Sequence, residues 1–386
     1  MQHHEQKILN VRRLYDSGIP FFTKDALRRM ASDLDTVKNT RNEKVLVAGL
    51  DGHSCEFLTE GGKVIPNQGP FFDENDHYIP EANVGIEGVW RGRISYIPIN
   101  RLVQRPGVSY SVKQPEDEHY FPLTFEYWVD YRNQTTKEEV HEDPRLVRLP
   151  LHAARQTFER ERALFQRGAQ ASELRSVLES YRQSSRLPTV QKVVAFACGS
   201  VSWKDNLSIR SSRQHALALF VRDYFAETQK SEVQCFAQEP DYKDVDYGIL
   251  EDAAVGIKIL EDPWGFIEVD DETVVVAFSP DVPVRQVVAD IARPAMMFWN
   301  RGWDSTTHDT RGGLDPSLSI VPSDSTDPMA PRLADMLKCY WEHPLTTDED
   351  LAFLCSAMYI HKPKGNVEEE VESTDAGMLS EKRGGE

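Results

Sequence analysis

The chain has 386 residues, of which 40% are hydrophobic and 27% are charged, and its formal net charge at pH 7 is −18. This length predicts about two structural units, and the hydrophobic fraction is sufficient for a buried core. The excess of negative charge disfavours broad binding to nucleic acid or to anionic membranes, because those surfaces carry charge of the same sign.

The cysteines and the apolar runs indicate the cellular compartment. The five cysteines are widely spaced and form no CxxC pair, which argues against a disulfide framework and against a structural zinc site. Residues 1–14 are polar and charged, so no signal peptide is predicted. No apolar run is long enough to span a bilayer. We therefore expect a reducing compartment, cytoplasmic or nuclear, and no membrane association.

Residues 1–145 are expected to form an N-terminal helix followed by a β-rich or irregular region. Thr23 is a suitable N-cap for a helix whose apolar residues follow at helical spacing. Between residues 44 and 132, short β-rich runs alternate with turn residues, and Gly61-Gly62 predicts a hairpin. The role of this region stays open between a cap over an edge of the following domain and a separate binding surface.

Residues 150–362 show a regular alternation of helices and strands. A helical stretch over 151–181, interrupted near Gly168, comes first. Five short apolar runs then alternate with helical segments: Val193–Ala197, Val233–Ala237, Ile257–Leu260, Thr273–Phe278 and Ala295–Trp299. This alternation predicts βαβ crossovers and a three-layer, doubly wound α/β fold of Rossmann-like type with a mainly parallel sheet. Residues 363–386 are polar and acidic and are expected to form a disordered tail.

Candidate binding residues follow the predicted strand ends, because ligands of open parallel sheets bind outside the carboxyl ends of the strands, where the strand order reverses. The residues at these positions are Gly199, Ser200, Ser202, Glu239, Asp241, Ser279 and Asp281. A glycine allows close approach of a ligand, and an acid after the second strand accepts hydrogen bonds from a ribose. These features are typical of a nucleotide or S-adenosylmethionine pocket, although neither a GxGxxG nor a Walker sequence is present. The open alternative is that the glycine and the serines simply end a strand.

Arg213 is a further candidate binding residue, and it follows the predicted helix caps Ser211 and Ser212. An arginine at a helix N-terminus opposes the helix dipole, so we expect it to reach an anion or to pair with Glu239 or Asp241. An exposed arginine or a structural ion pair is the open alternative.

Catalytic and metal-binding patterns are incomplete in this sequence. Cys198 lies where a strand meets a turn and His215 begins the next helix, but the GxSxG frame of a nucleophile is absent. A buried structural cysteine is the favoured interpretation. Cys339 and His343 lie four residues apart on a predicted helix, without a second pair of ligands. The sequence thus identifies no catalytic residue, no metal site and no cofactor, and whether the protein is an enzyme stays open.

Several stretches of the chain together resemble the Sensitivity to Red Light Reduced (SRR-like) domain family. They are residues 193–202, 211–219, 238–242 and 278–300, and residues 15–22 are similar to fungal members. The resemblance implies a regulatory α/β domain over residues 150–362. Plant members of the family are tied to light signalling and circadian rhythm, and fungal and animal relatives to growth, cytoskeletal and haem-related phenotypes.

Two departures from the family pattern limit what the resemblance implies. Many members have Gly-Leu-Gly-Ser where this chain has residues 197–200 as Ala-Cys-Gly-Ser, and plant and animal members often place a histidine where Asp281 stands. A histidine-based acid–base role is therefore not transferred. We expect an intracellular regulatory protein that acts as an interaction or signalling scaffold for protein partners. The alternative is a Rossmann-like enzyme that binds a nucleotide-like molecule or S-adenosylmethionine.

Overall fold

The computed structural model of the chain describes residues 2–71, 81–103, 120–140, 147–301, 326–346, 352–353 and 355–363. Its strands are β1 (Arg41–Ala48), β2 (Ser54–Glu60), β3 (Val64–Pro66), β4 (Ile86–Tyr96), β5 (Leu123–Asn133), β6 (Lys192–Phe196), β7 (Gln234–Gln238), β8 (Lys258–Ile259), β9 (Thr273–Ala277), β10 (Met296–Asn300), β11 (Tyr340–Pro344) and β12 (Ser356–His361). Its helices are α1 (Gln2–Asp16), α2 (Lys24–Asn39), α3 (Ile99–Leu102), α4 (Leu151–Arg167), α5 (Ala169–Gln183), α6 (Asp205–Gln229), α7 (Asp244–Leu250), α8 (Trp264–Glu268), α9 (Val284–Ile291) and α10 (Pro331–Leu337). None of the described helices is both long enough and apolar enough to cross a membrane.

Seven strands form the central sheet, in the order β11-β12-β10-β9-β6-β7-β8. Strands β6 to β10 run parallel, whereas β12 and β11 are antiparallel additions beside β10. The chain moves outward from β6 to β8 and then returns to β9 on the other side of β6, so the strand order reverses between β6 and β9. The fold is therefore the predicted doubly wound α/β type with a mainly parallel sheet.

Two helical layers cover this sheet because its central strands are apolar on both faces. In β6, Val193 and Ala195 pack on the side of α4, α5, α6 and α7. Val194 and Phe196 alternate with them and face α2, α8, α9 and α10. All four side chains are at most 2% exposed. The predicted three layers are thus confirmed.

Strands β11 and β12 were not predicted, and the helix expected beyond Leu337 was wrong. Helix α10 ends at Leu337 and β11 begins at Tyr340. The extended conformation is stabilised by β12, which is buried along most of its length and lies between β10 and β11. His343 consequently lies on a strand opposite Met358 and does not share a helical face with Cys339.

The N-terminal region contains a two-stranded sheet of β1 and β2 and a three-stranded sheet of β3, β4 and β5. The hairpin predicted at Gly61-Gly62 was wrong, because β2 pairs with β1 whereas β3 pairs with β4. A Cβ atom on Gly61 would lie 2.2 Å from the carbonyl oxygen of Lys38. The glycine is therefore required by the close approach of the turn to α2, not by a hairpin.

Hydrogen bonds attach the N-terminal region to α9 of the α/β layer. Asp290 Oδ2 accepts hydrogen bonds from the backbone N–H groups of Phe21 and Phe22, at 2.7 and 3.1 Å. Further along, the Ile99 N–H donates to Gln286 Oε1 at 3.0 Å. Apolar side chains of the N-terminal region and of one sheet face form one continuous core. The division of the chain at residues 145–150 stays a prediction.

Candidate functional site at the carboxyl edge of the sheet

The loops after β6, β7 and β9 lie side by side at one edge of the central sheet. In the parallel register, Phe196 lies opposite both Gln238 and Ala277, so the residues that follow these strand ends are neighbours. Glu239 connects the first two loops, because its Oε2 accepts a hydrogen bond from the Gly199 N–H at 2.9 Å. This surface is called the carboxyl edge, and it comprises residues 197–203, 239–242 and 278–281.

Gly199 is explained by a neighbouring side chain of the same protein. Its φ of +69° lies in the left-handed region, which glycine adopts without strain. A Cβ atom there would lie 2.4 Å from Cζ3 of the Trp203 ring. The close approach predicted at this glycine is therefore made by Trp203, so the glycine alone does not indicate a ligand.

Ser200 and Ser202 belong to a buried polar network. Both are fully buried, and their hydroxyl oxygens are 2.7 Å apart. Ser200 donates to Asp246 Oδ1 at 2.7 Å, and Ser202 donates to Asp246 Oδ2 at 3.3 Å. Arg148 Nη1 donates to the two hydroxyls at 2.8 and 3.1 Å. The serines thus bond to side chains of the protein itself, and a ligand would reach them only if this network opened.

Sequence reasoning missed Arg148 and Asp246, which complete that network. Asp246 occupies the third position of α7 and accepts the backbone N–H of Lys243 at 2.9 Å, so it also caps the helix. The sequence could have indicated this cap, because a carboxylate three residues after the N-cap residue, here Lys243, is typical of a capping box. Nothing in the sequence connected it to serines 44 and 46 positions away.

Arg213 does not occupy the predicted position. Helix α6 begins at Asp205, so Arg213 lies in its interior, where its Nε donates to Glu161 Oε2 of α4 at 3.0 Å. Ser211, the expected cap, instead donates its hydroxyl to the carbonyl of Gly199 at 2.8 Å. The ion pair with Glu161 corresponds to the structural alternative that the sequence left open.

The solvent-facing part of the carboxyl edge is acidic. Asp241, Ser279 and Asp281 are exposed, and Glu239 is half-buried between the loops. Burial, together with the charges of Asp241 and Asp281, raises the pKa of Glu239 to about 7. Glu239 is therefore a carboxyl group that exchanges its proton near neutral pH and either donates or accepts a hydrogen bond there.

The N-terminal region also contributes side chains next to this edge. Tyr96 of β4 donates its hydroxyl to Asp262 Oδ1 at 2.5 Å, and Gln238 Nε2 donates to the same oxygen at 2.9 Å. Burial raises the pKa of Asp262 to about 6. Arg93, also on β4, is close enough for the charges of Asp262 and Asp281 to act on its pKa. Arg93 is therefore a basic group near these acids that the sequence did not indicate.

Cys198 and His215 are structural. Burial raises the pKa of the Cys198 thiol far above its ordinary value, so no thiolate forms near neutral pH. His215 Nδ1 donates to the Ser211 carbonyl at 2.7 Å, which leaves Nε2 to accept the Tyr242 hydroxyl at 2.5 Å. Burial lowers the pKa of His215 to about 4, so its ring is neutral. Among the described residues, no group of three or more His, Cys, Asp and Glu side chains is arranged to hold a metal ion.

Two strained residues flank the point where the strand order reverses. Ala197 follows β6 with φ of +51°, and Ser279 follows β9 with φ of +53°. Non-glycine residues rarely adopt this left-handed conformation, and such strain is concentrated at functional sites. The Ser279 backbone is held there by Asn300, whose Oδ1 accepts the Ser279 N–H at 2.6 Å. The sequence offered no signal for Ala197, since alanine has no preference for this conformation.

The mainly parallel sheet, its two helical layers and the loops gathered at the carboxyl edge define a three-layer α/β protein of Rossmann-like class. Residues 171–316 match the family model of the SRR1 domain. The chain therefore carries an SRR1 domain, and the predicted SRR-like resemblance is confirmed.

Comparison with other proteins adds little beyond this domain. No curated protein matches the chain. One similar solved structure is magnesium protoporphyrin IX methyltransferase from Synechocystis PCC 6803 with bound SAH, which is 11% identical with a TM-score of 0.25. The alignment covers 54% of this chain and 98% of that chain. A similarity this low carries no argument about binding or activity.

Proposed function

We propose that the protein is a regulatory protein of the SRR1 type whose α/β domain acts as a scaffold for other proteins in the cytoplasm or nucleus. The SRR1 domain match supports the regulatory class. The observation that carries the scaffold proposal is the occupation of the carboxyl edge after β6 by the protein's own side chains. Trp203 lies against Gly199, and Arg148 and Asp246 bind both serines.

An enzyme of this fold that forms a covalent intermediate needs an activated nucleophile. Nucleophilic catalysis requires a nucleophile within hydrogen-bond reach of a base. In the described part of the chain, Cys198 is a buried thiol and His215 is hydrogen-bonded on both ring nitrogens to other groups. These contacts favour a scaffold over a hydrolase or transferase with a covalent intermediate. All five cysteines are free, which supports a reducing compartment.

The outer face of the β1–β2 sheet offers a surface for a protein partner. Leu46 and Leu58 are 67% and 51% exposed. Opposite residues of an antiparallel pair share a face, as do residues two apart on one strand. Leu46 is opposite Glu56, and Leu58 is opposite Lys44, so the two leucines lie on the same face. Exposed apolar residues rimmed by charged ones are typical of protein contact sites.

Partner capture with matched variants tests the scaffold proposal. Wild type, the Leu46→Glu/Leu58→Glu double variant and the control Leu164→Glu would be used as bait in extracts of the source cells. Leu164 is a similarly exposed leucine on α4, at 53%. We expect one or more stoichiometric partners with wild type and the control, and their loss with the double variant. Identical capture by all three proteins, or turnover of a small molecule with no captured partner, would overturn the proposal.

A second candidate function is binding of a nucleotide-like molecule or S-adenosylmethionine at the carboxyl edge. The left-handed conformations of Ala197 and Ser279 on both sides of the strand-order reversal favour it. The acidic groups at this edge are Glu239, Asp241 and Asp281, and carboxylates accept hydrogen bonds from ribose hydroxyls and attract cationic ligands.

Thermal unfolding against a panel of nucleotides and S-adenosylmethionine distinguishes the two candidates. A ligand at about 100 times its dissociation constant adds roughly 2.7 kcal/mol to the free energy of unfolding. Glu239→Gln should abolish this gain, whereas Glu232→Gln, an exposed glutamate before the opposite end of β7, should retain it. No stabilisation by any member of the panel would reject the second candidate and leave the scaffold proposal intact.

A further inference from the structure

A cavity lies on the α4–α6 face of the sheet, beside the edge strand β11 and its neighbour β12. Its volume is about 190 Å³. The apolar wall is formed by Phe165, Leu174, Leu217, Phe353 and Met358. An apolar cavity of about 150 Å³ accepts one benzene ring. This cavity therefore has room for a single aromatic ring with a short substituent.

Hydrogen bonds across the rim give the cavity a fixed shape. Gln170 Nε2 donates to the Thr346 carbonyl at 2.8 Å, and the Thr346 hydroxyl donates to Glu173 Oε2 at 2.8 Å. These bonds connect the first turns of α5 to the segment that follows β11. The cavity is thus preformed, and a ligand would not have to order its walls.

The rim is negatively charged. Among the described residues that line the cavity, the ionisable side chains are Glu173 and His343. Burial lowers the pKa of His343, and its Nε2 is 2.8 Å from the Tyr181 hydroxyl, so this ring is neutral near pH 7. Within the described part of the chain, Glu173 Oε1 makes no hydrogen bond. One carboxylate oxygen is therefore available to a donor that enters the cavity.

We propose that this cavity binds a small aromatic amine, with its ring against Phe165 and Phe353 and its ammonium group at Glu173. The two phenylalanine rings are 6.0 Å apart at an interplanar angle of 59°, and aromatic surfaces of this kind pack favourably on a third ring. The carboxylate supplies a charge-assisted hydrogen bond to the ammonium group. The site involves neither the carboxyl edge nor the β1–β2 face, so it is independent of the proposed function.

Calorimetric titration of the full chain with three one-ring probes tests the ligand class. Benzylamine, benzyl alcohol and benzoate share a ring of similar size and differ in charge. We expect benzylamine to bind at least about tenfold more tightly than benzyl alcohol, and benzoate to bind more weakly than both. Absence of benzylamine binding, or equal affinity for the three probes, would overturn the proposal.

Variants show whether the binding takes place in this cavity. Glu173→Gln should reduce the affinity for benzylamine by about tenfold, to the level of benzyl alcohol, and leave benzyl alcohol unchanged. Glu159→Gln, on an exposed position of α4, should change neither. Val177→Phe fills the cavity and should abolish binding of both probes.

Glu173→Gln and Val177→Phe each test whether benzylamine binds in this cavity. Benzylamine binding that survives both Glu173→Gln and Val177→Phe would lie elsewhere on the protein and would overturn the proposal. If Val177→Phe does not fold, as judged by circular dichroism, the comparison of Glu173→Gln with Glu159→Gln decides, because both positions are exposed.

Discussion

The loops after β6 and β9 occupy equivalent positions at the carboxyl edge but have opposite environments. After β6, Ser200 and Ser202 are fully buried and bonded to Asp246. After β9, Ser279 and Asp281 are exposed. Short polar sequences at the ends of parallel strands therefore serve two purposes. The buried sequence after β6 holds a loop and a helix together, and only the exposed sequence after β9 is accessible to a ligand or partner.

The largest expected effect is the removal of the carboxylate beneath the β6 loop. Asp246→Ala leaves two buried hydroxyls without their acceptor and the Arg148 guanidinium without its ion-pair partner. We expect a loss of about 3–5 kcal/mol in the free energy of unfolding, measured by urea denaturation. Asp281→Ala in the exposed loop is the control and should change stability by less than about 0.5 kcal/mol. Equal losses would mean that the two loops do not differ.

The next effect concerns the contact between Gly199 and Trp203. Gly199→Ala combines an unfavourable left-handed conformation with a Cβ atom 2.4 Å from the indole ring. A loss of about 2–3 kcal/mol is expected. In a Trp203→Ala background the same substitution should cost only about 1 kcal/mol, the conformational part. Additive effects in this double-mutant cycle would contradict the proposed reason for the glycine.

A smaller effect is expected in the pH dependence of stability, to which Glu239 contributes. Since the folded-state pKa of Glu239 is raised to about 7 from its ordinary value of 4.5, the folded protein binds more protons than the unfolded chain between these two pH values. Its contribution to stability is complete below the unfolded pKa and is lost as the pH rises through about 7. Glu239→Gln should therefore reduce the stability difference between about pH 5 and about pH 8 by about 1–2 kcal/mol.

Urea denaturation at the two pH values measures that difference. Glu232→Gln, at the exposed opposite end of β7, serves as the control and should keep the wild-type difference. Asp262, whose pKa is raised to about 6, contributes in the same direction and is unchanged in both variants. A wild-type pH profile in Glu239→Gln would show that Glu239 is an ordinary exposed acid.

The smallest expected effect tests strain at the strand-order reversal. Ala197→Gly relieves the left-handed φ of +51° and should stabilise the protein by about 0.5–1 kcal/mol. Ala292→Gly, at an extended φ of −158°, should instead destabilise it by a similar amount. Thermal unfolding distinguishes the two signs. Destabilisation in both variants would remove the argument that Ala197 is strained for function.

Local patterns were sufficient to predict the five parallel strands of the sheet and the position of its carboxyl edge. The continuous apolar runs at β6 and β9 indicate strands covered on both faces, and parallel strands necessarily gather their following loops. Ser279 and Asp281 were placed at this edge for this reason, and both are exposed there. The three-layer architecture depends on the same short-range patterns, so it could also be predicted from the sequence.

Contacts between distant segments could not be predicted. Arg148 reaches Ser200 across 52 positions, and β12 pairs with β10 across a comparable separation. The start of α6 was misplaced because Ser211 resembles a cap, whereas its hydroxyl bonds the Gly199 carbonyl. In each case the tertiary neighbour decides the role of a residue whose type alone permits several roles.

The segment before α4 is bonded to the loop after β6. The Leu149 N–H donates to the Ser202 carbonyl at 2.6 Å, and Arg148 pairs with Trp203 as an isolated bridge. The SRR1 match begins only at residue 171. A fragment trimmed to that match would lack Arg148 and α4 and would admit water beside Ser200, Ser202 and Asp246, which are buried in the full chain. The matched segment is thus shorter than the set of contacts that buries this network, because Arg148 and Leu149 lie before residue 171 and bond to residues within the match.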